Sequence, residues 1–274
     1  MLNQKFFSIS VIIIAVVCMA YSGTGKNLVA GKYYATDTVG VLPVLVADTI
    51  SKNTDSPVTL KQALPFPVSS ATVFELNKNV RKYVADYVKQ NGHFLEKIKV
   101  KSGSSFRVID EVFTKHDLPV ELKYLAVIES NLNSNATSKA GASGLWQLMP
   151  VAAKQFGLKM NGKYDERKDV YKSTVAAAKC LNYLHNIFDD WLLTIAAYNS
   201  GPGRVLSAIR KSGSRDFWVL QQYLPEETRK HVRKFIAIHY YFDGSGSLTT
   251  LTKKETEKYK LSLEGLADTL VTVR

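Results

Sequence analysis

Cysteine is nearly missing from this chain: of 274 residues, two are Cys, at 18 and 180. Cys18 lies inside an N-terminal apolar stretch, so a chain that loses that stretch keeps one thiol and no intrachain disulfide. Cys180 sits in a helical pattern and reads as a small buried hydrophobe. Histidine is sparse too. The five histidines are scattered, and no His-Glu-x-x-His pattern occurs, which argues against a metal enzyme. Zinc-finger spacing, an RNP sequence and an Arg-rich arm are all missing. The net charge of +12 therefore points to an acidic polymer or an anionic surface rather than nucleic acid. "YSGTGKN" at 21–27 lacks both the first Gly and the closing Ser/Thr of a phosphate-binding loop. Few segments alternate as strands do, and there is no internal repeat.

What is present suits a helical globular domain with an N-terminal extension. Composition is ordinary, 46% hydrophobic and 22% charged, which provides for a sizeable core. The first residues, "MLNQKFFSISVIIIAVVCMAYSGTG", place Lys5 before an apolar stretch and small residues after it. This predicts an export signal over 1–22. The stretch from Phe6 to Tyr21 has 16 residues, short for a membrane span, so an anchor ranks second. Lipidation at Cys18 ranks lower because Val17 precedes it. Residues 23–71 carry Val, Thr, Asp, Ser and Pro without helical period and predict an extended spacer.

Helical periodicity begins near 72 and predicts a helical extension over 72–105. A catalytic domain is expected over 106–243, then a polar C-terminal tail over 244–274. Helices are expected at 104–115, after Pro119, at 150–157, 169–188, 191–199, 204–212 and 217–222, and from Pro225 to Phe242. The fold class is all-α.

One helical turn raises a chemical question. Leu125-Ala126-Val127-Ile128 ends in Glu129. Leu122, Leu125 and Leu132 are expected on its side, so the carboxylate projects from an apolar stripe. Burial disfavours the charged form, and a carboxylic acid near neutral pH is a competent general acid. A buried ion pair, or a frayed helix end meeting water, explains the pattern equally well. The next stretch, "SNLNSNATSKAGASGLWQLMP", is polar and punctuated by Gly141 and Gly144, where backbone can approach a ligand closely. Trp146, Gln147 and Met149 combine an aromatic, an amide and a flexible apolar side chain, which suits a sugar; core roles for Trp146 and Met149 stay open. "AAYNSGPGRV" at 196–205 ends an apolar helix with Tyr198 and Asn199. These two could face a cleft or serve as core and C-cap.

Taken in order, "ES" at 129–130, "ATSKAGASGLWQLMP" at 136–150, "YDERKDV" at 164–170, "WLLTIAAYNSGPGRV" at 191–205 and "LPEET" at 224–228 resemble the lytic transglycosylases with a soluble-lytic-transglycosylase catalytic domain. The likeness covers roughly 106–242. It implies a lysozyme-like helical domain that cuts the peptidoglycan glycan strand without metal or cofactor. It further implies that Glu129 is the acid/base, and that Ser138 and Gln147, with Gly144, Trp146, Met149, Tyr198 and Asn199, form the sugar site. Trp146 stands where many members have Met; D-type members resemble this chain in having Trp. At position 231 the family often places a cleft-lining Tyr, and this chain has His231. The 244–274 segment is too short for the C-terminal peptidoglycan-binding repeats of D-type relatives.

The implied reaction uses one carboxylate. Glu129 protonates the oxygen between N-acetylmuramic acid and N-acetylglucosamine, then takes the proton of the C6 hydroxyl as a 1,6-anhydro ring closes. A goose-type hydrolase with a second acid, and a non-catalytic glycan-binding or assembly protein, are the alternatives. The expected partner is the glycan strand, met by a monomer in the periplasm or cell envelope, with membrane association through the N-terminus as the anchored variant.

Overall fold

The computed structural model describes residues 76–272, with side chains to 264. The expected export signal and spacer lie outside the described residues. Ten α-helices run through the described part: α1 (Lys78–Lys101), α2 (Gly103–Lys115), α3 (Tyr124–Ser130), α4 (Pro150–Gln155), α5 (Val170–Phe188), α6 (Trp191–Ser200), α7 (Pro202–Ser212), α8 (Phe217–Leu220), α9 (Glu226–Asp243) and α10 (Lys253–Thr272). Two short antiparallel strands, β1 (Met160–Asn161) and β2 (Tyr164–Asp165), form the sheet among them. The all-α expectation is met.

Helix α6 is the centre. Its residues from Leu192 to Tyr198 are all buried, as expected for a helix apolar on every side. It packs on α5, α7 and α9, and the alanines at 196 and 197 allow close approach. Asp190 caps its start by accepting from Leu193 N–H at 3.0 Å. Gly201, at φ 84°, ends it. Pro202 then begins the next helix, occupying the first turn of α7, where a missing N–H costs nothing.

Two other supports frame the site. Helix α1 lies along α9 and buries Val80, Leu95 and Ile98. Helix α2 lies against α5, burying Ile109, Val112 and Phe113. Asp165, Asp169 and Asp190 each accept a backbone N–H at a helix start.

The C-terminal segment corrects an expectation. Residues 244–274 read as a polar tail, yet Lys253–Thr272 is helical. Thr252 and Glu255 cap each other reciprocally: Glu255 accepts from Thr252 N–H at 2.8 Å, and Thr252 Oγ1 accepts from Glu255 N–H at 3.2 Å. Lys253 N–H donates to Asp190 at 2.6 Å, and Trp218 Nε1–H to Glu255 at 3.1 Å, which ties α10 to the starts of α6 and α8. The start of this polar segment is thus held by capping. Among the described residues no helix is long and apolar enough to cross a membrane.

Candidate active site

Glu129 is the next-to-last residue of α3. The helix stops because Asn131 and Leu132 turn left-handed, at φ 55° and 61°. Leu125 of α3 and Leu122 of the preceding 3-10 turn Val120–Lys123 are fully buried. Leu132 is not on the helix, because the left-handed turn carries it away. The Glu129 side chain is 9% exposed, and its Oε1 lies 3.0 Å from Nε2 of His231, itself 3% exposed. The bond brings together residues 102 apart in sequence.

His231 sits on α9, and one turn before it stands Glu227. Both carry a buried polar atom without a hydrogen-bond partner: Nδ1 of His231 and Oε1 of Glu227. Glu227 feels the charges of Glu129 and His231. Burial is the largest influence and pushes its carboxyl above the usual range; Glu129 adds to this, while His231, Lys234 and Arg204 oppose it. Sequence reasoning quoted "LPEET" without singling out Glu227. The signal was its four-residue spacing from His231, which puts both on one helical face.

The loop after α3 is knit by its own polar groups. Ser130 Oγ donates to the Leu145 carbonyl at 2.8 Å and accepts from Asn133 N–H at 3.1 Å. Ser138 Oγ accepts from Ala142 N–H at 3.0 Å. The Gln147 amide donates to the carbonyls of Gly144, at 2.8 Å, and Ala136, at 3.3 Å. Ser138, Gln147 and Met149 remain partly exposed. Buried Arg167 donates to the carbonyls of Gly141 and Leu148 at 2.6 and 2.9 Å and holds Asp165 at 2.7 Å. Nothing in its spacing predicted this role, because its partners are main-chain carbonyls.

Trp146, Tyr198, Gly144, His231 and Asn199, all expected at the sugar site, make contacts within the protein. Trp146 is fully buried. Its indole N–H donates to Thr174 at 2.9 Å, and its ring packs 5.4 Å from that of Phe113. Tyr198 is buried, and its hydroxyl donates to the Trp146 carbonyl at 2.9 Å. Burial and the Glu129 charge push that phenol well above its usual range, so it stays protonated. These two rings brace the loop from behind, because a large aromatic gains more from the core than from a wet cleft. Gly144, at φ 82°, lies against main chain: a Cβ there would sit 1.7 Å from the Arg167 carbonyl oxygen. Its lack of a side chain serves packing rather than a ligand. His231, expected to face substrate, is turned inward onto Glu129. Asn199 is half-buried and accepts from Thr228 Oγ1–H at 2.9 Å, which ties α6 to α9.

A second histidine cluster shows how like geometry can serve architecture. His239 Nε2 lies 2.9 Å from Ser247 Oγ, with Asp243 at 3.5 Å from Nδ1. The row resembles an acyl-transfer triad, but Ser247 Oγ accepts from Thr249 N–H at 3.2 Å as the cap of the 3-10 turn Leu248–Thr250. The cluster fastens the end of α9.

Residues 110–221 match the Transglycosylase SLT domain. Glu129, the knit loop, Tyr198 and Asn199 lie inside the matched span; Glu227 and His231 follow it. Over 167 residues the chain is 39% identical to membrane-bound lytic murein transglycosylase D of Escherichia coli (strain K12), covering 59% of this chain and 36% of that protein. Over 129 residues it is 43% identical to a putative tributyltin chloride resistance protein of Alteromonas sp. (strain M-1), covering 47% of this chain and 62% of that one. The chain thus spans a little over a third of the first relative's length. The crystal structure of the 70 kDa soluble lytic transglycosylase from Escherichia coli aligns over 54% of this chain and 26% of that chain, at 27% identity and a TM-score of 0.47.

Proposed function

We propose that this SLT-domain chain is a peptidoglycan lytic transglycosylase, cutting between N-acetylmuramic acid and N-acetylglucosamine and leaving a 1,6-anhydromuramyl end. One observation carries the reading: within the matched span, a carboxylate at a helix end is withdrawn from water and held by a single side-chain hydrogen bond to His231. That environment suits a group that must first give a proton and then take one back. Glu129 protonates the glycosidic oxygen, and the sugar passes through an oxocarbenium-like state. The same carboxylate then accepts the C6 hydroxyl proton as the ring closes. An internal hydroxyl outcompetes bulk water through proximity. The polar loop around Ser138, Gln147 and Met149 is the candidate wall for the sugar. The net charge of +12 favours the anionic stem peptides. The names of the relatives and the N-terminal pattern support export to the cell envelope.

Goose-type hydrolysis also has an observation in its favour, since Glu227 is a second carboxylate that senses Glu129. Product mass separates the two. Digestion of purified sacculi is expected to give muropeptide ends one water lighter than reducing ends, and Glu129→Gln is expected to abolish them. Reducing ends alone would replace this reading with hydrolysis. Equal cleavage by the Gln variant would remove Glu129 from the chemistry.

A further inference from the structure

Two adjoining hollows, of about 350 and 460 Å³, open beside α9. Each is within the size range of small-ligand clefts, roughly 300–1,000 Å³. They share Trp218, Gln221 and Arg233, and so make one groove between the start of α1, α8 and α9. Helical geometry sets this groove apart from the acid. Arg229 and Arg233 stand two residues after Glu227 and His231, about 200° round the helix. His231 faces Glu129. The groove is therefore across α9 from Glu129, with a helix diameter of about 10–12 Å between them.

The walls carry a consistent chemistry. Arg233 Nη2–H donates to Gln221 Oε1 at 2.8 Å, and Arg229 Nη1–H to the Gln222 carbonyl at 3.5 Å. Both partners are neutral, so neither cation is compensated by them. Each guanidinium has five N–H donors, and these bonds use one apiece. No Asp or Glu lines either hollow, and Lys78 adds a third positive charge at the α1 end. Two carboxylates come near, and both are engaged: Glu255 accepts the Trp218 indole N–H, and Glu226 pairs with Lys230. Trp218 and exposed Val219 supply an apolar wall. We propose that this groove binds a carboxylate-bearing peptide, the stem peptide of peptidoglycan. Guanidinium forks match carboxylates bidentately, the glutamine amides suit peptide groups, and the apolar wall suits aliphatic side chains. An anionic membrane surface would call for cations that project outward; Arg233 is instead drawn into the groove by Gln221. The name of the peptide rests on the lytic transglycosylase reading; the carboxylate chemistry rests on the groove alone. A stem peptide held here leaves the sugar wall beside Glu129 free, so the domain grips the wall at one place and cuts at another.

The test reads binding without catalysis. The full chain is titrated with stem peptide freed from its sugar, with the same peptide amidated at its carboxylates, with peptide-free disaccharide, and with phosphatidylglycerol vesicles. Calorimetry gives Kd, and the change in tryptophan emission is assigned by its loss in Trp218→Phe. The free peptide is expected to bind and to change Trp218 emission. Amidation, and the paired change Arg229→Gln with Arg233→Gln, should each weaken binding about tenfold or more. Arg233→Lys keeps the charge but loses the fork and should also weaken it. On intact sacculi the paired variant should show a raised KM, while strands stripped of peptide are cut at the wild-type rate. If the paired variant also fails on stripped strands, Val219→Glu decides, since it adds a repelling charge at an exposed position and removes no hydrogen bond. Absence of saturable peptide binding, equal binding of the amidated peptide, or an unchanged Kd in both the Arg and the Val219 variants would overturn the proposal. So would Arg-dependent binding of vesicles without binding of peptide. Glu129→Gln should bind the peptide as wild type does. Its cleavage products report on the parent reading separately, and a failure there leaves the measured peptide site standing.

Discussion

A single methyl group tests the loop beside Glu129. At Gly144, φ is 82°, and a Cβ would lie 1.7 Å from the Arg167 carbonyl oxygen. The atoms it would meet, of Arg167 and Lys168, belong to the main chain, so no side chain can swing aside. Gly144→Ala is expected to lower stability by about 3 kcal/mol or more, read as a fall in Tm. A Tm within a degree of wild type would mean the loop does not pack on 167–168. Gly141 also has positive φ, 90°, but nothing stands within 4 Å of its Cβ position, so Ala there should cost less. Cys180 makes the opposite point. It is buried in α5, and burial pushes its thiol up to about 12. It should resist alkylation in the folded protein and react once denaturant is added, with modified peptides identified by mass so that Cys18 is counted separately. Labelling of Cys180 under native conditions would contradict its burial. The expectation of a small core hydrophobe was legible from helical periodicity. The Gly144 clash was not, because Arg167 meets it from 23 residues away.

Capping decides whether the C-terminal segment is a tail or a helix. Glu255 accepts from Thr252 N–H and from the Trp218 indole. Glu255→Ala removes both, and is expected to cost about 1–2 kcal/mol and to fray α10 first. Limited proteolysis should then cut within 253–272 before the rest of the chain unfolds; an unchanged cleavage pattern would mean α10 is held elsewhere. The signal was in the sequence, since Thr-x-x-Glu at 252–255 is a capping box. Low apolar content hid it, because periodicity searches look for a buried stripe. Elements with a stripe or a Pro/Gly punctuation were readable: α4 begins at Pro150, and α9 begins just past Pro225 and ends at Gly244. The 3-10 turn Val120–Lys123 ahead of α3 was not, since it shares one apolar pattern with the helix it feeds.

Across the whole molecule, Asp190 joins the start of α6 to the start of α10. It accepts N–H from Leu193 and Lys253. Burial nevertheless raises its carboxyl to about 6, those backbone donors opposing the rise. The folded protein therefore holds this proton more tightly than the unfolded chain. Between about pH 4 and 6 the native state binds more protons, so this group's contribution to stability falls as pH rises through that window. Each tenfold gain in proton affinity is worth about 1.4 kcal/mol, so the change is of order 3 kcal/mol. Unfolding at pH 4, 5, 6 and 7 is expected to show that decline in wild type and a flatter profile in Asp190→Asn. Parallel profiles would mean Asp190 is ionised throughout.

By itself the sequence determined the helical class, the chain position of Glu129 at the end of an apolar turn, and the motif order that resembles the transglycosylases. Those are local properties: period, punctuation and residue type at short spacing. Tertiary structure decided the rest, because packing sets which distant groups share a dry space. It buried Trp146 and Tyr198 behind the loop, the core role that their residue types alone had left open. It also set His231 on Glu129 across 102 residues and brought the unremarked Glu227 within reach of both charges. A carboxylate's proton is governed by its neighbours in space, and no spacing along the chain records them.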